Sequence, residues 1–289
     1  MKHKSLKLSL VVALALTSVT AKEVSLENKI SSLYVSFFNR AADEEGLTYW
    51  NNAGLAVEAS GGDSLTVLKQ LSSGFASHPT FVSTYSSMGN EAFVQAIYQN
   101  SLGQPGDAQG VAYWKGLLDN GKSRSDMVAE FMELSLTLDL TPENFPALSA
   151  VELAAAVERQ DLITNKVNAA ISFTKTLSSL TNVVDAQNPE NDGAYMASVT
   201  VLSDITVDEA SVISTIGKLN SLASNDNAIN IINTNWDNII VPEVANISQT
   251  PAKEDLSGTI SANKTLTADK VWRINGLVTV TNGATLTIE

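Results

Sequence analysis

The chain has 289 residues, no cysteine, two histidines and 31 acidic against 18 basic side chains, for a formal charge of −13. It is long enough for two or so domains at roughly 100–200 residues each. Such acidity repels nucleic acid and anionic headgroups. The lack of cysteine excludes disulfides, thiolate metal sites and thiol nucleophiles, and so few histidines leave little room for histidine acid–base or multi-histidine metal chemistry.

Met1 to Ala21 reads as a secretory signal peptide: a basic start (Lys2, His3, Lys4, Lys7), an apolar run from Leu8 to Leu16, then Val19-Thr20-Ala21 before a cut at Lys22. Ser9, Thr17 and Ser18 make the run too short and broken for a membrane anchor, and no later stretch is apolar enough to span a bilayer. Cleavage removes Lys2, Lys4 and Lys7 and leaves 15 basic against 31 acidic side chains.

Residues 22–140 carry an internal repeat, with copies over about 26–81 and 90–138. Tyr34, Asp43, Gly46, Tyr49 and Trp50 recur without a gap as Tyr98, Asp107, Gly110, Tyr113 and Trp114, all at an offset of 64. Ahead of each motif lies an amphipathic helix, marked by Leu26, Ile30, Leu33 and Phe37 in the first copy and by Phe93, Ile97 and Leu102 in the second. In the pattern Asp-x-x-Gly-x-x-Tyr-Trp, the aspartate caps a helix by accepting the N–H of the glycine three residues on. The glycine leaves room for a neighbouring backbone, and the tyrosine and tryptophan are expected in the core. A flat aromatic platform for sugar is the sharper alternative, but adjacent residues on a helix point about 100° apart. Asp43, Glu44, Glu45 and Asp107 are the residues a calcium ion would take; capping is the better reading, because the second copy keeps only its aspartate and neither copy has an EF-hand loop. Calcium is thus the one cofactor the sequence leaves open, and no other is expected.

The run Leu33-Tyr34-x3-Phe38-Asn39-Arg40-Ala41-Ala42-Asp43-x2-Gly46-Leu47-x-Tyr49-Trp50 resembles the signature of the bacterial domain-of-unknown-function 4214 family. Ser72 to Phe81 and Met127 to Leu136 resemble its closing helix, and the likeness covers roughly 26–140. The resemblance implies an exported, surface-layer-like or RTX-like protein of a Gram-negative bacterium and supplies no catalytic residue. The second copy departs from the signature: Gly103-Gln104-Pro105-Gly106 stands where the first has Asn39-Arg40-Ala41-Ala42, so the arginine is missing.

Residues 141–224 read as a helical extension. Ser149-x-x-Glu152 and Thr206-x-x-Glu209 are capping boxes, a separate helix is expected over about 165–184, and Val212, Ile216 and Leu219 share a face. The Asn-rich residues 225–255 read as a linker of surface loops. From 256 to 289 β-branched and apolar residues alternate between turn residues, with Asn282-Gly283 a strong turn signal. This segment resembles the first rungs of a right-handed parallel β-helix; the competing reading is a small hairpin. Because the sequence stops within a strand pattern at Glu289, it is expected to be the N-terminal part of a longer protein.

The expected fold class is therefore mainly α: an exported helical repeat domain of two similar units plus further helices, then a short all-β segment. His78 lies in Ser77-His78-Pro79 with no nucleophile elbow around it, and neither phosphate nor dinucleotide loops occur, so catalysis is not expected. The function read from the sequence is surface display, assembly or attachment. The partners would be other copies of the chain, or envelope glycans and lipopolysaccharide. The alternative is the glycan-targeting region of a polysaccharide-active β-helix enzyme, binding through Trp50, Trp114, Trp236 or Trp272.

Overall fold

A computed structural model describes residues 22–183, 191–241, 253–267 and 271–288. The signal-peptide reading, residue 184 of the helix expected over about 165–184, residues 242–252 of the expected linker and Glu289 lie outside the described residues. The chain divides into two compact units, Met1–Val241 and Pro242–Glu289.

The first unit is helical. The first repeat copy gives α1 (Leu26–Phe38), α2 (Glu44–Ala59), α3 (Ser64–Ser77) and a short α4 (Pro79–Tyr85). The second gives α5 (Asn90–Leu102), α6 (Ala108–Asp119) and α7 (Arg124–Thr137). Short polar side chains set most of the starts: Ser25, Asp43, Asp63, Asp107 and Ser123 each accept a backbone N–H in the first turn of the following helix. The first helix of each copy stops the same way, in the left-handed region, at Asn39 (φ 50°) and Gly103 (φ 63°), two of the residues that pay least to be there.

α1 is buried on every side from Lys29 to Phe37. Buried serines on such a helix bond internally where they can: Ser32 and Ser36 donate back to the carbonyls of Lys29 and Ser32, both at 2.6 Å, while Ser31 Oγ has no partner among the described residues. Around it the copies meet like against like, α1 on α5 and α3 on α7. They share one core, including Ile30, Leu33 and Phe37 from one copy and Phe93, Ile97 and Phe131 from the other. Each such apolar side chain contributes about 1.5–3 kcal/mol by burial.

α8 (Ala150–Thr176) follows, opened by the full Ser149–Glu152 capping box. It runs unbroken through residue 165, where a second helix was expected, because no glycine or proline interrupts it. Beyond it lie α9 (Gly193–Thr200), α10 (Glu209–Leu222) and α11 (Ala228–Asn235), with a second core that includes Phe173, Val201, Leu219, Ile232 and Trp236. Two further expectations fail here. α10 is capped by Asp208, which accepts the N–H of Ala210, so Thr206 is not its N-cap. Residues 228–238 are helix rather than linker: Ala228, Ile232 and Trp236 recur every four residues and are buried, a stripe hidden in the sequence by the asparagines between them.

The second unit has four strands, β1 (Lys253–Ile260), β2 (Lys264–Leu266), β3 (Val271–Val280) and β4 (Leu286–Ile288). β1 pairs with β3 and β2 with β4, both parallel, with a register shift between Leu256 and Gly258. Asn282 and Gly283, both at positive φ, make the turn between β3 and β4. Those two strands do not pair with each other, so the turn closes no hairpin. Leu256, Ile260 and Leu266 are buried with Val278 and Leu286 against them.

Candidate functional site

The repeated motif builds the same local device twice. Asp43 Oδ1 accepts the Gly46 N–H at 2.6 Å, and Asp107 Oδ1 accepts the Gly110 N–H at 2.9 Å. The glycines make room for a side chain rather than the backbone expected from sequence: a Cβ at 46 would overlap the Tyr34 hydroxyl, and one at 110 the Tyr98 hydroxyl. Each tyrosine then meets the phenylalanine of its copy's closing helix edge-on, Tyr34 with Phe75 at 4.9 Å and Tyr98 with Phe131 at 5.0 Å between centroids. Trp50 and Trp114 pack on the same phenylalanines at 4.8 and 5.7 Å. Burial, reinforced by the carboxylate of Asp43 or Asp107, pushes both tyrosine pKa values well above the ordinary phenol value.

Past this point the copies diverge. In the second, Trp114 is 1 % exposed and Tyr113 half-buried. α8 lies over the aromatic group through Ala156, Arg159 and Gln160, leaving a cavity of only about 30 Å³. Gln160 Nε2 fastens it there by donating to the carbonyls of Ser135 at 3.2 Å and Leu138 at 2.9 Å. The arginine absent from the second copy's signature has no direct counterpart: Arg159 of this helix lies near enough to Tyr98 to offset a small part of its pKa rise. Cover has a polar cost: among the described residues, Tyr98 Oη, Trp114 Nε1 and Arg159 Nη1 are buried without a hydrogen-bond partner. The indole N–H lies close enough to Tyr98 to favour its ionised form, yet the two do not reach hydrogen-bond geometry.

In the first copy the equivalent place is a cleft of about 390 Å³. Its walls are Phe38, Trp50 and Phe75, with Arg40, Glu45, Tyr49 and His78 at its polar edge. α8 does not cover it, because the end of that one helix passes instead beside the preceding loop, where Thr174 Oγ1 donates to the Ala42 carbonyl at 2.7 Å. Trp50 is consequently half-buried where Trp114 is sealed, and Tyr49 is 64 % exposed, against the expectation that it lies in the core. The two rings stand at 82° with centroids 4.9 Å apart, a corner and not a platform. Gly74 lets the Trp50 ring lie directly on α3, since a Cβ there would overlap it.

Polar groups around the cleft are held in place. Arg40, 8 % exposed, lies between the rings of Tyr34 and Tyr195 at 4.8 and 5.2 Å. It donates to the Ala41 carbonyl at 2.9 Å and to Asp43 Oδ2 at 3.2 Å. His78 joins α3 to α4, and its Nδ1 accepts the Thr80 N–H at 3.2 Å, which puts the proton of the neutral ring on Nε2. Burial, then the Arg40 charge, lowers its pKa. Glu45 Oε1 accepts from Asn182 Nδ2 at 3.1 Å, and the Glu44 N–H donates to Thr181. Both oxygens of Asp43 are thus engaged. Among the described residues no three His, Asp or Glu side chains gather as a metal site, and the carboxylates of Asp43 and Asp107 serve as caps.

Of the residues singled out by sequence, the structure brings Tyr34, Asp43, Gly46, Tyr49 and Trp50 to the cleft, with Glu45, while Glu44 stays on the surface. Tyr98, Asp107, Gly110 and Trp114 form its closed twin. Arg159, Tyr195 and the open edge at His78 carry no signal in the chain, because their role depends on where α8 and α9 pack.

Residues 72–135 match the family model described as Domain of unknown function (DUF4214). That match runs from the end of α3 through α7, and so rests on the second copy more than on the first, whose signature carried the resemblance. No curated protein and no solved structure matches the chain.

Proposed function

We propose that this chain is a non-catalytic module of an exported bacterial surface protein, and that it attaches the protein to the cell envelope through the open cleft of its first repeat copy. The observation that carries the reading is the asymmetry of the repeats. One aromatic site is filled by the chain's own helix, while its twin keeps an exposed tyrosine and a ring of ordered polar groups. A site needed only for folding gains by being covered, since each buried aromatic adds a large apolar area. An ordered one that no helix among the described residues covers suits recognition.

Export rests on the signal-peptide pattern. The parallel pairing of β1 with β3 and β2 with β4 supports the reading of the second unit as the first rungs of a β-helix, which the helical module would precede. Calcium bridging between exposed carboxylates remains part of the proposal only for groups such as Glu44, not for the capping aspartates.

Fractionation of cells producing the protein tests this. The chain, shortened by its leader, should sediment with the envelope, and chelation should release it if calcium bridges contribute. A chain retained in the cytoplasm, or free in the medium, contradicts the proposal.

A further inference from the structure

The first-copy cleft has a chemistry that selects among ligands, and this selection rests on the attachment reading above. A metal ion is disfavoured, because Asp43 already serves Gly46 and Arg40, and Glu45 shares its carboxylate with Asn182. An anion is disfavoured too: among the described residues Arg40 is the one full positive charge on the lining and is neutralised by Asp43, while Glu45 adds a negative charge. A flat aromatic ligand or an extended sugar chain lying on a platform does not fit two rings at 82°.

What fits is a small neutral molecule with an apolar face and both donors and acceptors on its rim. Trp50 and Tyr49 offer two walls of a corner for C–H faces. His78 Nε2–H and the Tyr49 hydroxyl supply donors, and Glu45 supplies an acceptor. Saccharides have this combination, and a cleft of about 390 Å³ lies near the lower end of the roughly 300–1,000 Å³ usual for small ligands. We infer that the first-copy cleft binds a terminal, uncharged pyranose ring of a glycan, with Trp50 and Tyr49 as walls and Glu45 and His78 as hydrogen-bonding groups.

The closed twin gives a built-in control. Trp114 is sealed under α8, so the second copy cannot offer the same aromatic corner to a saccharide, and the variants below assign any binding to the first copy.

The test is ligand-observed NMR on the full chain with the methyl pyranosides of glucose, galactose, mannose, rhamnose and N-acetylglucosamine. At least one should show saturable binding. Tyr49→Ala, at a residue exposed enough to leave the fold intact, should weaken it roughly ten-fold, and Glu45→Gln should weaken it as well. No saturable binding by any of the five overturns the inference, as does binding that neither variant changes. A change in self-association on Tyr49→Ala without any sugar binding would make the cleft a protein contact and equally overturn it. Fractionation is a separate readout: envelope retention with no pyranose bound defeats the ligand and leaves attachment standing, whereas pyranose binding by a chain free in the medium does the reverse.

Discussion

Replacing Gly110 by alanine places two physical effects in opposition. At a helical position alanine is favoured over glycine by up to about 1 kcal/mol. Here the added Cβ would overlap the Tyr98 hydroxyl and stand 3.3 Å from both Tyr98 Cζ and Asp107 Oδ2. Tyr98 has nowhere to retreat, since its ring meets Phe131 edge-on at 5.0 Å and is 2 % exposed. Overpacking of this kind costs about 1–3 kcal/mol, so a net loss of about 1–2 kcal/mol is expected.

Tyr98→Phe removes the obstructing oxygen, which is itself buried without a partner, and is expected to be neutral or stabilising by up to about 1 kcal/mol. The two substitutions must therefore couple: in the Tyr98→Phe background, Gly110→Ala should recover most of its loss. Urea denaturation of the four proteins gives the coupling energy, expected at about 1–2 kcal/mol. Additive effects, or a Gly110→Ala protein as stable as the parent, would refute the claim that the glycine exists to seat the tyrosine.

Asp43→Ala removes a helix cap and strands the buried Arg40 guanidinium, so it should cost more than the ~1 kcal/mol of a simple cap, about 2–3 kcal/mol by denaturant titration. Lys166 is 5 % exposed and, among the described residues, donates only to the Asn100 carbonyl near the end of α5, and burial pushes its pKa down to about 8. Its folded pKa lies below the unfolded value of about 10.4, so the unfolded chain binds the extra proton and stability should rise with pH between these values, by about 3 kcal/mol. Subtracting the same titration of Lys166→Met isolates that rise; a difference that is flat from pH 7 to 10 would contradict it. Trp236→Ala should destabilise the helical unit by about 3–5 kcal/mol, because this residue fills the second core and donates to Asp204 at 3.1 Å. A change of only a few tenths would return residues 228–238 to the status of a linker.

The parts of the fold that were legible in the sequence are those governed by local chemistry. Asp43 and Asp107 cap the helices that their spacing implies, and Ser149 and Glu152 close a capping box without help from the rest of the chain. Where a competing cap stood two residues away, as at Asp208, the sequence pattern Thr206-x-x-Glu209 chose the wrong oxygen. Ala228, Ile232 and Trp236 were obscured by composition, since asparagine is common in loops but also sits readily on the solvent face of a short helix.

The candidate site was half legible. Spacing put Tyr49 and Trp50 beside each other on a helix and correctly implied divergent rings. It could not tell that Trp50 is half-buried while its repeat partner Trp114 is sealed, because that cover is supplied by α8, a helix more than 35 residues beyond Trp114. A repeat in sequence implies equal environments, and the one long helix that follows can cover only one of the two copies.

The central claim is that the open copy holds the protein to the envelope and its closed twin does not. The most direct measurement compares envelope retention of the native chain, Tyr49→Ala and Tyr113→Ala, substitutions at equivalent positions of the two copies. The account predicts that Tyr49→Ala moves the protein into the medium while Tyr113→Ala leaves it with the envelope. Equal retention of both variants, or release by Tyr113→Ala alone, would contradict it.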